Sequence, residues 1–250
     1  MNVIERGYEI FITGLVQGVG FRPFICRLAS SYGLTGEVVN RSDGVRVILM
    51  CDAETAGSFA AAIRSGAPAA SVIRSVEIRE TDVRSYDEFS IFPSRSIDET
   101  ITEVSPDIAV CDDCLSDLVS DPGRTDYPFI NCTNCGPRFT IIKSLPYDRE
   151  NTTMAPFCMC QRCAEEYGNM ANRRFHAQPV ACNSCGPVFT LRAGSRELTG
   201  IAVIIDFISE HLADGGSVAI KSVGGYNLMC DALNEEAVAG LRKRKQRDMK

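Results

Sequence analysis

The stretch GLVQGVGFRP (14–23) decides how the first third of the chain folds. Residues 8–12 before it have the alternation of a β-strand, and residues 21–32 have the apolar spacing of a helix. Pro23 suits the first turn of that helix, and Gly33 suits its end. The stretch therefore predicts a strand, a tight glycine-rich loop and a helix in direct succession.

The loop has the composition of an anion-binding site. Gly18 and Gly20 allow successive backbone N–H groups to turn toward one point, where the helix N-terminus adds its positive end. Arg22 adds a planar set of donors that matches phosphate or carboxylate. The alternative interpretation is a tight turn that binds nothing.

Asn40 is the second candidate site residue. Residues 37–40 and 45–49 read as strands, and the Asp-Gly in the connecting residues 41–44 favours a hairpin. In a βαββαβ fold the end of the second strand lies beside the start of the first helix. Asn40 would there hold a water in line with a bound phosphorus, and its alternative role is that of a turn residue.

Further elements complete a first domain. Residues 55–64 are alanine-rich and predict a helix, and residues 72–79 and 89–92 predict strands. The order βαββαβ predicts a ferredoxin-like sandwich, with two helices on one antiparallel sheet. The expected class of the whole chain is therefore α+β.

Composition divides the chain into three expected domains, at 1–93, 105–190 and 200–250. The first has no cysteine pair, the second holds eight paired cysteines and many turn-forming residues, and the third returns to an α/β pattern. In the third, residues 201–212 predict a helix, residues 217–221 predict a strand, and Asn234 is placed to cap a second helix.

The second part contains four Cys-x-x-Cys pairs, and the motif Cys-x-x-Cys-Gly-Pro-x-Phe-Thr occurs twice, at 132–140 and 182–190. Each pair brings two thiolates to one point, and two pairs complete a tetrahedral shell around Zn²⁺. We expect two structural zinc ions, each worth on the order of 10–16 kcal/mol of apparent binding free energy, because this part has little core of its own. The candidate ligands are Cys111, Cys114, Cys132, Cys135, Cys160, Cys163, Cys182 and Cys185.

Alternatives to this zinc assignment remain at this point. In the simplest arrangement the first and second cysteine pairs bind one zinc ion, and the third and fourth pairs bind the other. The alternative is an interleaved arrangement, in which each ion is bound by two pairs that are not neighbours in the sequence. Disulfides and iron–sulfur clusters are also conceivable for paired cysteines, although a reducing compartment and regular spacing favour zinc.

VQGVGFR (16–22) followed by Asn40 resembles the signature of the acylphosphatase family, over the first ninety-odd residues. The resemblance implies that Arg22 binds the phosphoryl group and that Asn40 positions the attacking water. It also implies a cradle of backbone amides from Gln17, Gly18, Val19, Gly20, Phe21 and Arg22. Such a site works by positioning and charge stabilisation, and it requires neither His176, for which we expect a structural role, nor His211.

The succession of these parts resembles the N-terminal part of the HypF family, the carbamoyltransferases of [NiFe]-hydrogenase maturation. The resemblance rests on SPDIAVCDDCL (105–115), YPFINCTNCGPRFT (127–140), RRFHAQPVACNSCGP (173–187) and KSVGGYNLMCDALNEEAV (221–238). It implies that carbamoyl phosphate is hydrolysed at the first site, that ATP converts carbamate to carbamoyl-adenylate in a YrdC-like domain, and that the carbamoyl group reaches the C-terminal cysteine of a partner protein.

The resemblance also implies that residues 200–250 are only the beginning of the YrdC-like domain. We therefore expect a fragment that does not perform the complete transfer. On this basis the candidate nucleotide-binding residues are Lys221, Arg242 and Lys245. In the alternative interpretation, Arg242 and Lys245 are solvent-exposed charges at the end of a helix and bind no nucleotide.

Charge and hydropathy limit the remaining functions. A net charge of −6 argues against binding of a polyanion by the whole molecule. Neither a secretory signal nor a membrane-spanning segment is expected, and a cytoplasmic location is therefore predicted. There are two alternatives to catalysis. In the first, the zinc module binds RNA, with the help of the basic stretch 242–250, or binds a protein partner. In the second, the zinc module acts as a rigid connector between its neighbouring domains.

Overall fold

A computed structural model of the chain describes residues 4–94 and 103–246. The chain divides into two compact units, Met1–Gly186 and Pro187–Lys250. The first unit contains a sheet domain (residues 4–94) and a cysteine region (residues 105–186). Among the described residues, none of the helices combines the length and the apolar character that crossing a bilayer requires.

The sheet domain has the predicted ferredoxin-like fold. Its sheet has the strand order β4-β1-β3-β2-β5, in which the first four strands are antiparallel and β5 pairs in parallel with β2 at the edge. The strands are β1 (Ile4–Leu15), β2 (Gly36–Arg41), β3 (Gly44–Leu49), β4 (Val72–Arg84) and β5 (Phe89–Ile91), and the helices are α1 (Phe21–Ser31) and α2 (Ala53–Gly66).

Both helices pack on one face of this sheet. Ile10 and Ile12 of β1 alternate toward that face, where Phe21 and Ile25 of α1 and Phe59 of α2 join them in the main hydrophobic core. The start of α2 is capped by Asp52, whose carboxylate accepts a hydrogen bond from the Thr55 N–H, as is usual for a helix N-cap.

Strand register places Asn40 beside the loop that follows β1. Asn40 pairs with Val45 in β3, and Val45 pairs with Ile12 in β1. The three residues form a row across the sheet, three positions before β1 ends at Leu15. The βαββαβ topology therefore brings Asn40 to the same sheet edge as the glycine-rich loop, as the sequence predicted.

The cysteine region has little regular structure. Its two helices, α3 (Asp112–Ser120) and α4 (Gln161–Gly168), each begin directly after the first cysteine of a pair, Cys111 or Cys160. Single 3₁₀ turns occur at Phe139–Ile141 and Arg149–Asn151. The sequence analysis did not assign these helices, because elements of eight or nine residues carry too few turns to show an apolar period.

The two halves of the cysteine region repeat one backbone arrangement. Asp126 and His176 occupy equivalent positions, fifty residues apart, and both have a left-handed φ, of 55° and 51°. Each donates its N–H to the main chain of the α-helix in its own half, at Leu118 and Tyr167 respectively. The repeated sequence motif is thus a repeated structural module.

The halves hold each other through an exchanged pair of buried arginines. Arg124 lies at 0% exposure and donates from Nη2 to Glu166 of α4 at 2.5 Å and from Nε to the Ala181 carbonyl at 3.1 Å. Its equivalent, Arg174, donates to Asp117 of α3 and, at 3.3 Å, to a main-chain carbonyl of the first half. Each half therefore contributes a buried arginine that forms an ion pair with a carboxylate on the helix of the other half.

Arg124, and Arg173 next to Arg174, also reach cysteine sulfurs of the opposite half. Arg124 Nη2 lies 3.5 Å from the Cys163 sulfur of the second half. Arg173 Nη1 lies 2.9 Å from the Cys114 sulfur of the first half. Because a guanidinium stabilises thiolate charge, each half contributes to the cysteine cluster of the other.

Replacement of Arg124 tests this exchange. Arg124→Ala removes a fully buried guanidinium and leaves the Glu166 carboxylate without its shortest ion pair, so we expect a loss of about 3–5 kcal/mol in the stability of the cysteine region. The measurement is the thermal transition of that region together with the rate at which a chelator extracts zinc.

The matched control is Arg192→Ala, because Arg192 forms an exposed ion pair with Glu197. That pair should contribute only about 0–1 kcal/mol. Equal effects of the two substitutions would mean that the exchanged arginines do not hold the halves together.

The second unit has the predicted α/β pattern. The helix and strand expected at 201–212 and 217–221 are present, and Asn234 caps the last helix by accepting the Ala237 N–H at 3.0 Å. Two antiparallel hairpins, β6–β7 and β8–β9, form its sheets. The elements are β6 (Thr190–Ala193), β7 (Arg196–Thr199), α5 (Ile201–Ala213), β8 (Ser217–Lys221), β9 (Tyr226–Cys230) and α6 (Glu235–Lys245).

Candidate functional site

A small cavity of about 30 Å³ lies at the anion loop (residues 16–22), between β1 and α1. A buried water needs about 10–15 Å³ on the same measure, so the cavity suits a small group. One wall comes from the sheet domain and includes Gln17, Arg22 and Asn40. The opposite wall comes from the cysteine region and includes Thr133, Arg138, Tyr147, His176 and Gln178.

The backbone of the anion loop is arranged to bind an anion. Gly18 and Gly20 have φ values of 73° and 76°, which are left-handed conformations that favour glycine. Within the described residues, no hydrogen bond takes up the backbone N–H groups of residues 17–22. Since α1 begins at Phe21, the first N–H groups of the helix are among these free donors.

The side chains of the loop hold this backbone in place. The side chains of Val19 and Phe21 are buried in the hydrophobic core. Gln17 donates from Nε2 to the carbonyls of Arg41, at 2.6 Å, and Gly44, at 3.0 Å. Its Oε1 accepts the Tyr147 N–H at 3.1 Å. The Gln17 amide is therefore fully used in fixing the loop.

Arg22 is 7% exposed and lines the cavity. Its Nη2 donates to the Asp148 carboxylate at 2.6 Å and to the Tyr147 carbonyl at 3.3 Å, and its Nη1 donates to the Ser94 hydroxyl at 3.3 Å. These contacts use three of five donors. The Nε–H and one Nη1–H have no partner among the described residues, which leaves two N–H groups for a ligand.

Asn40 is 2% exposed and lines the same cavity. Its Oδ1 is buried and has no hydrogen-bond partner within the described parts of the chain. Buried side-chain oxygens are nearly always paired, so an unpaired one in a cavity indicates an absent ligand or water. The structure thus brings Arg22 and Asn40 to one cavity, as the sequence predicted.

Arg138 connects this cavity to the first cysteine cluster. It is 2% exposed, and all five of its N–H groups donate to main-chain carbonyls. Its Nε donates to Gly18 in the anion loop, and its two terminal nitrogens donate within the turn that carries the second cysteine pair. Those four acceptors, at 2.9–3.3 Å, are the carbonyls of Cys132, Thr133, Cys135 and Pro137.

Close packing also requires glycine in the loop. A Cβ atom at Gly20 would lie 2.9 Å from Thr133 Cγ2, and one at Gly18 would lie 3.3 Å from Arg138 Cδ. The cysteine turn thus lies directly on the anion loop. A role of the cysteine region as a connector alone does not account for this contact.

Sequence reasoning missed Arg138, Tyr147 and Asp148. A signal existed for Arg138, since the variable position of the repeated motif is arginine in the first copy and valine, Val188, in the second. For Tyr147 and Asp148 no local pattern exists, because their partners lie 125–130 residues earlier in the chain.

Replacement of Arg138 tests the connection. Arg138→Leu leaves the Gly18 carbonyl and four carbonyls of the cysteine turn without their donor, and we expect inorganic phosphate to bind about tenfold more weakly or worse. The measurement is phosphate titration by calorimetry, with zinc content determined on the same sample.

Val188→Ala is the control, because Val188 occupies the equivalent position of the second copy and is exposed. Phosphate affinity should be unchanged in this variant. An Arg138→Leu protein that keeps both zinc ions and binds phosphate like the wild type would contradict the proposed connection.

The eight paired cysteines form two clusters from neighbouring pairs, so the interleaved arrangement is wrong. Within each cluster the four sulfurs lie within 4.8 Å of one another, and nearest sulfurs are 3.5–3.8 Å apart. A tetrahedral zinc with Zn–S bonds of about 2.3 Å separates its sulfurs by about 3.8 Å. The clusters are Cys111, Cys114, Cys132 and Cys135, and Cys160, Cys163, Cys182 and Cys185. Both donor sets fit zinc.

His176 lies in the cavity wall, a position that the sequence analysis did not predict. Its ring packs against Tyr167 and Phe175, at centroid distances of 4.6 and 4.7 Å. Burial, together with the positive charge of Arg22, lowers the pKa of His176 to about 4. The imidazole is therefore neutral near pH 7.

The candidate nucleotide-binding residues do not line one common pocket, in contrast to Arg22 and Asn40. Lys221 ends β8 and lies over the Tyr226 ring at 5.5 Å, in an apolar groove of the second unit. Arg242 and Lys245 lie in the last turns of α6 and do not line that groove. The end of the basic stretch, 247–250, lies outside the described residues.

Three family profiles match successive parts of the chain. The acylphosphatase profile matches residues 8–91, the HypF finger profile matches residues 110–142 and 159–192, and the profile described as telomere recombination matches residues 210–250. The carbamoyltransferase HypF of Rhodobacter capsulatus is 45% identical over 98% of this chain. The chain belongs to the HypF family.

Solved HypF structures have the same fold. A full-length HypF in a phosphate- and nucleotide-bound form superposes with a TM-score of 0.87 at 44% identity, over 99% of this chain and 32% of the other. HypF of T. kodakarensis gives a TM-score of 0.84 at 43% identity, over 98% of this chain and 31% of the other. The chain thus spans about a third of the length of the HypF proteins that it matches.

A free-standing acylphosphatase is related to the sheet domain alone. The enzyme of Archaeoglobus fulgidus is 39% identical over 84 residues, which are 93% of its own length and 33% of this chain. The cavity wall formed by the cysteine region therefore has no counterpart in the matched part of that protein.

Proposed function

We propose that the first domain hydrolyses an acyl phosphate, with carbamoyl phosphate as the substrate, at Arg22 and Asn40. Two observations support the proposal. The cavity combines unpaired main-chain donors of residues 17–22, two free donors of Arg22 and the unpaired Asn40 Oδ1. Membership in the HypF family favours carbamoyl phosphate among acyl phosphates.

The proposed mechanism depends on positioning. The phosphoryl oxygens accept hydrogen bonds from the backbone N–H groups of the anion loop and from Arg22, which together stabilise the charge that develops in the transition state. Asn40 Oδ1 accepts a hydrogen bond from a water molecule and directs its oxygen at the phosphorus, opposite the leaving oxygen.

The bond changes follow from this arrangement. The water oxygen forms a bond to phosphorus while the bond between phosphorus and the acyl oxygen breaks, and that oxygen keeps the electron pair. The products are inorganic phosphate and carbamate, and one proton of the water is released. Neutral His176 is not required as a base in this step.

We propose a structural zinc ion in each cysteine cluster. When bound, a Cys₄ zinc has no open position for substrate and supplies folding free energy to its turns. In this chain the first cluster fixes the turn on which Arg138 and Thr133 contact the anion loop.

The proposed role within a longer protein is the first step of carbamoyl transfer in hydrogenase maturation. Carbamate would react with ATP in the YrdC-like domain, where Lys221, Arg242 and Lys245 are the candidate nucleotide-binding residues of this chain. The carbamoyl group would then reach the C-terminal cysteine of a hydrogenase-maturation partner. Reduced cysteines and ATP are typical of the cytoplasm, which we propose as its location.

Substitutions of the two candidate residues test the proposed hydrolysis. Arg22→Ala should lower phosphate release from carbamoyl phosphate by about 10²-fold or more, since it removes transition-state charge stabilisation. Asn40→Ala should lower kcat and leave the affinity for inorganic phosphate near the wild-type value, because Asn40 contacts the water. The measurement is steady-state phosphate release with calorimetric phosphate binding.

Arg27→Ala is the control, because Arg27 lies on the same helix and is exposed outside the cavity. It should hydrolyse carbamoyl phosphate at the wild-type rate. Wild-type turnover by Arg22→Ala would place the reaction elsewhere.

A further inference from the structure

Beyond the phosphoryl-binding groups, the cavity contains polar groups that no protein partner satisfies. Tyr147 is almost fully buried. Its hydroxyl makes no hydrogen bond of good geometry among the described residues, although the Arg138 guanidinium lies close enough to act on its pKa. The His176 ring makes two aromatic contacts, and neither of its nitrogens forms a hydrogen bond within the described residues. Both residues line the cavity with Arg22 and Asn40.

The main chain fixes both side chains in this wall. Tyr147 is held on either side by the sheet domain, since its N–H donates to Gln17 and its carbonyl accepts from Arg22. His176 has the left-handed φ that the equivalent Asp126 also has, so the repeat sets this backbone and leaves the choice of side chain free. These residues therefore belong to a prebuilt surface of the cavity.

The chemistry of the two groups suits an amide. Burial raises the pKa of Tyr147, so its hydroxyl is protonated and both donates and accepts a hydrogen bond. Neutral His176 presents one N–H and one bare nitrogen acceptor. A carbamoyl group offers two N–H donors and a carbonyl acceptor, whereas an acetyl group offers only the carbonyl.

We propose that Tyr147 and His176 bind the carbamoyl end of the substrate and make the site select carbamoyl phosphate over acyl phosphates that lack the amide. The inference rests on the proposed hydrolysis at Arg22 and Asn40. With acetyl phosphate, a methyl group faces acceptors that then remain unpaired, and such unpaired groups are a strong source of discrimination.

The test compares phosphate release from carbamoyl phosphate and from acetyl phosphate. The intrinsic reactivities of the two compounds are the same for every variant, so the ratio of their kcat/KM values isolates recognition. Tyr147→Phe and His176→Leu should each lower this ratio about tenfold, by slowing carbamoyl phosphate and leaving acetyl phosphate within about threefold of the wild type. His176→Asn, which keeps a donor and an acceptor, should restore part of the ratio.

Two controls separate recognition from structural damage. Tyr32→Phe and His211→Leu change the same residue types outside the cavity and should leave the ratio unchanged. Affinity for inorganic phosphate should be unchanged in Tyr147→Phe and His176→Leu, because phosphate has no acyl end.

The outcomes distinguish the two proposals. Equal losses with both substrates, or a loss of phosphate affinity, would assign Tyr147 and His176 a structural role and overturn the inference while hydrolysis at Arg22 stands. A wild-type protein without preference would overturn it as well. A wild-type protein that hydrolyses neither compound would overturn the proposed hydrolysis and, with it, this inference.

Discussion

The guanidinium of Arg138 is buried, and each of its N–H groups donates to a main-chain carbonyl. Within the described residues no carboxylate forms an ion pair with this guanidinium. The Asp107 carboxylate, which accepts the Arg138 main-chain N–H at 2.8 Å, is nevertheless close enough for the Arg138 charge to lower its pKa. A buried charge held in this way keeps a positive potential nearby. Because one of the carbonyls belongs to Gly18, that potential lies at the anion loop, where a bound phosphate would complete the compensation.

This interaction also explains what the repeat in the sequence provides. Both copies carry a Cys-x-x-Cys-Gly-Pro turn, and the exchanged arginines Arg124 and Arg174 hold the copies together. The first copy directs Arg138 at the anion loop, and the second supplies His176 to the cavity wall. One module is thus used twice, and its variable side chains contribute to one cavity from two directions.

The local parts of the fold were predictable because local chemistry determines them. Gly18 and Gly20, the hairpin at 41–44 and the N-cap Asn234 act through neighbouring residues, and the three-residue spacing of the cysteine pairs limits each cluster to a few arrangements. Strand register in the βαββαβ order then places Asn40 beside the loop that leads into α1, and Arg22 stands at the start of that helix.

The wall formed by the cysteine region was not predictable in this way. Gly18 and Arg138 are 120 residues apart, and Arg22 and Asp148 are 126 apart. Such contacts leave no period or turn signal in the sequence. The arginine that distinguishes the first copy of the repeat from the second was the one available indication, and its target becomes visible only when the turn lies on the loop.

The central claim is that the first cysteine cluster shapes the anion loop through Arg138, and phosphate binding before and after zinc removal tests it most directly. Calorimetric titration should give an affinity at least about tenfold weaker for the zinc-free protein, with recovery when zinc is restored, because the free turn no longer holds Arg138 on Gly18. Equal affinity in a zinc-free protein with an intact sheet domain would contradict the claim.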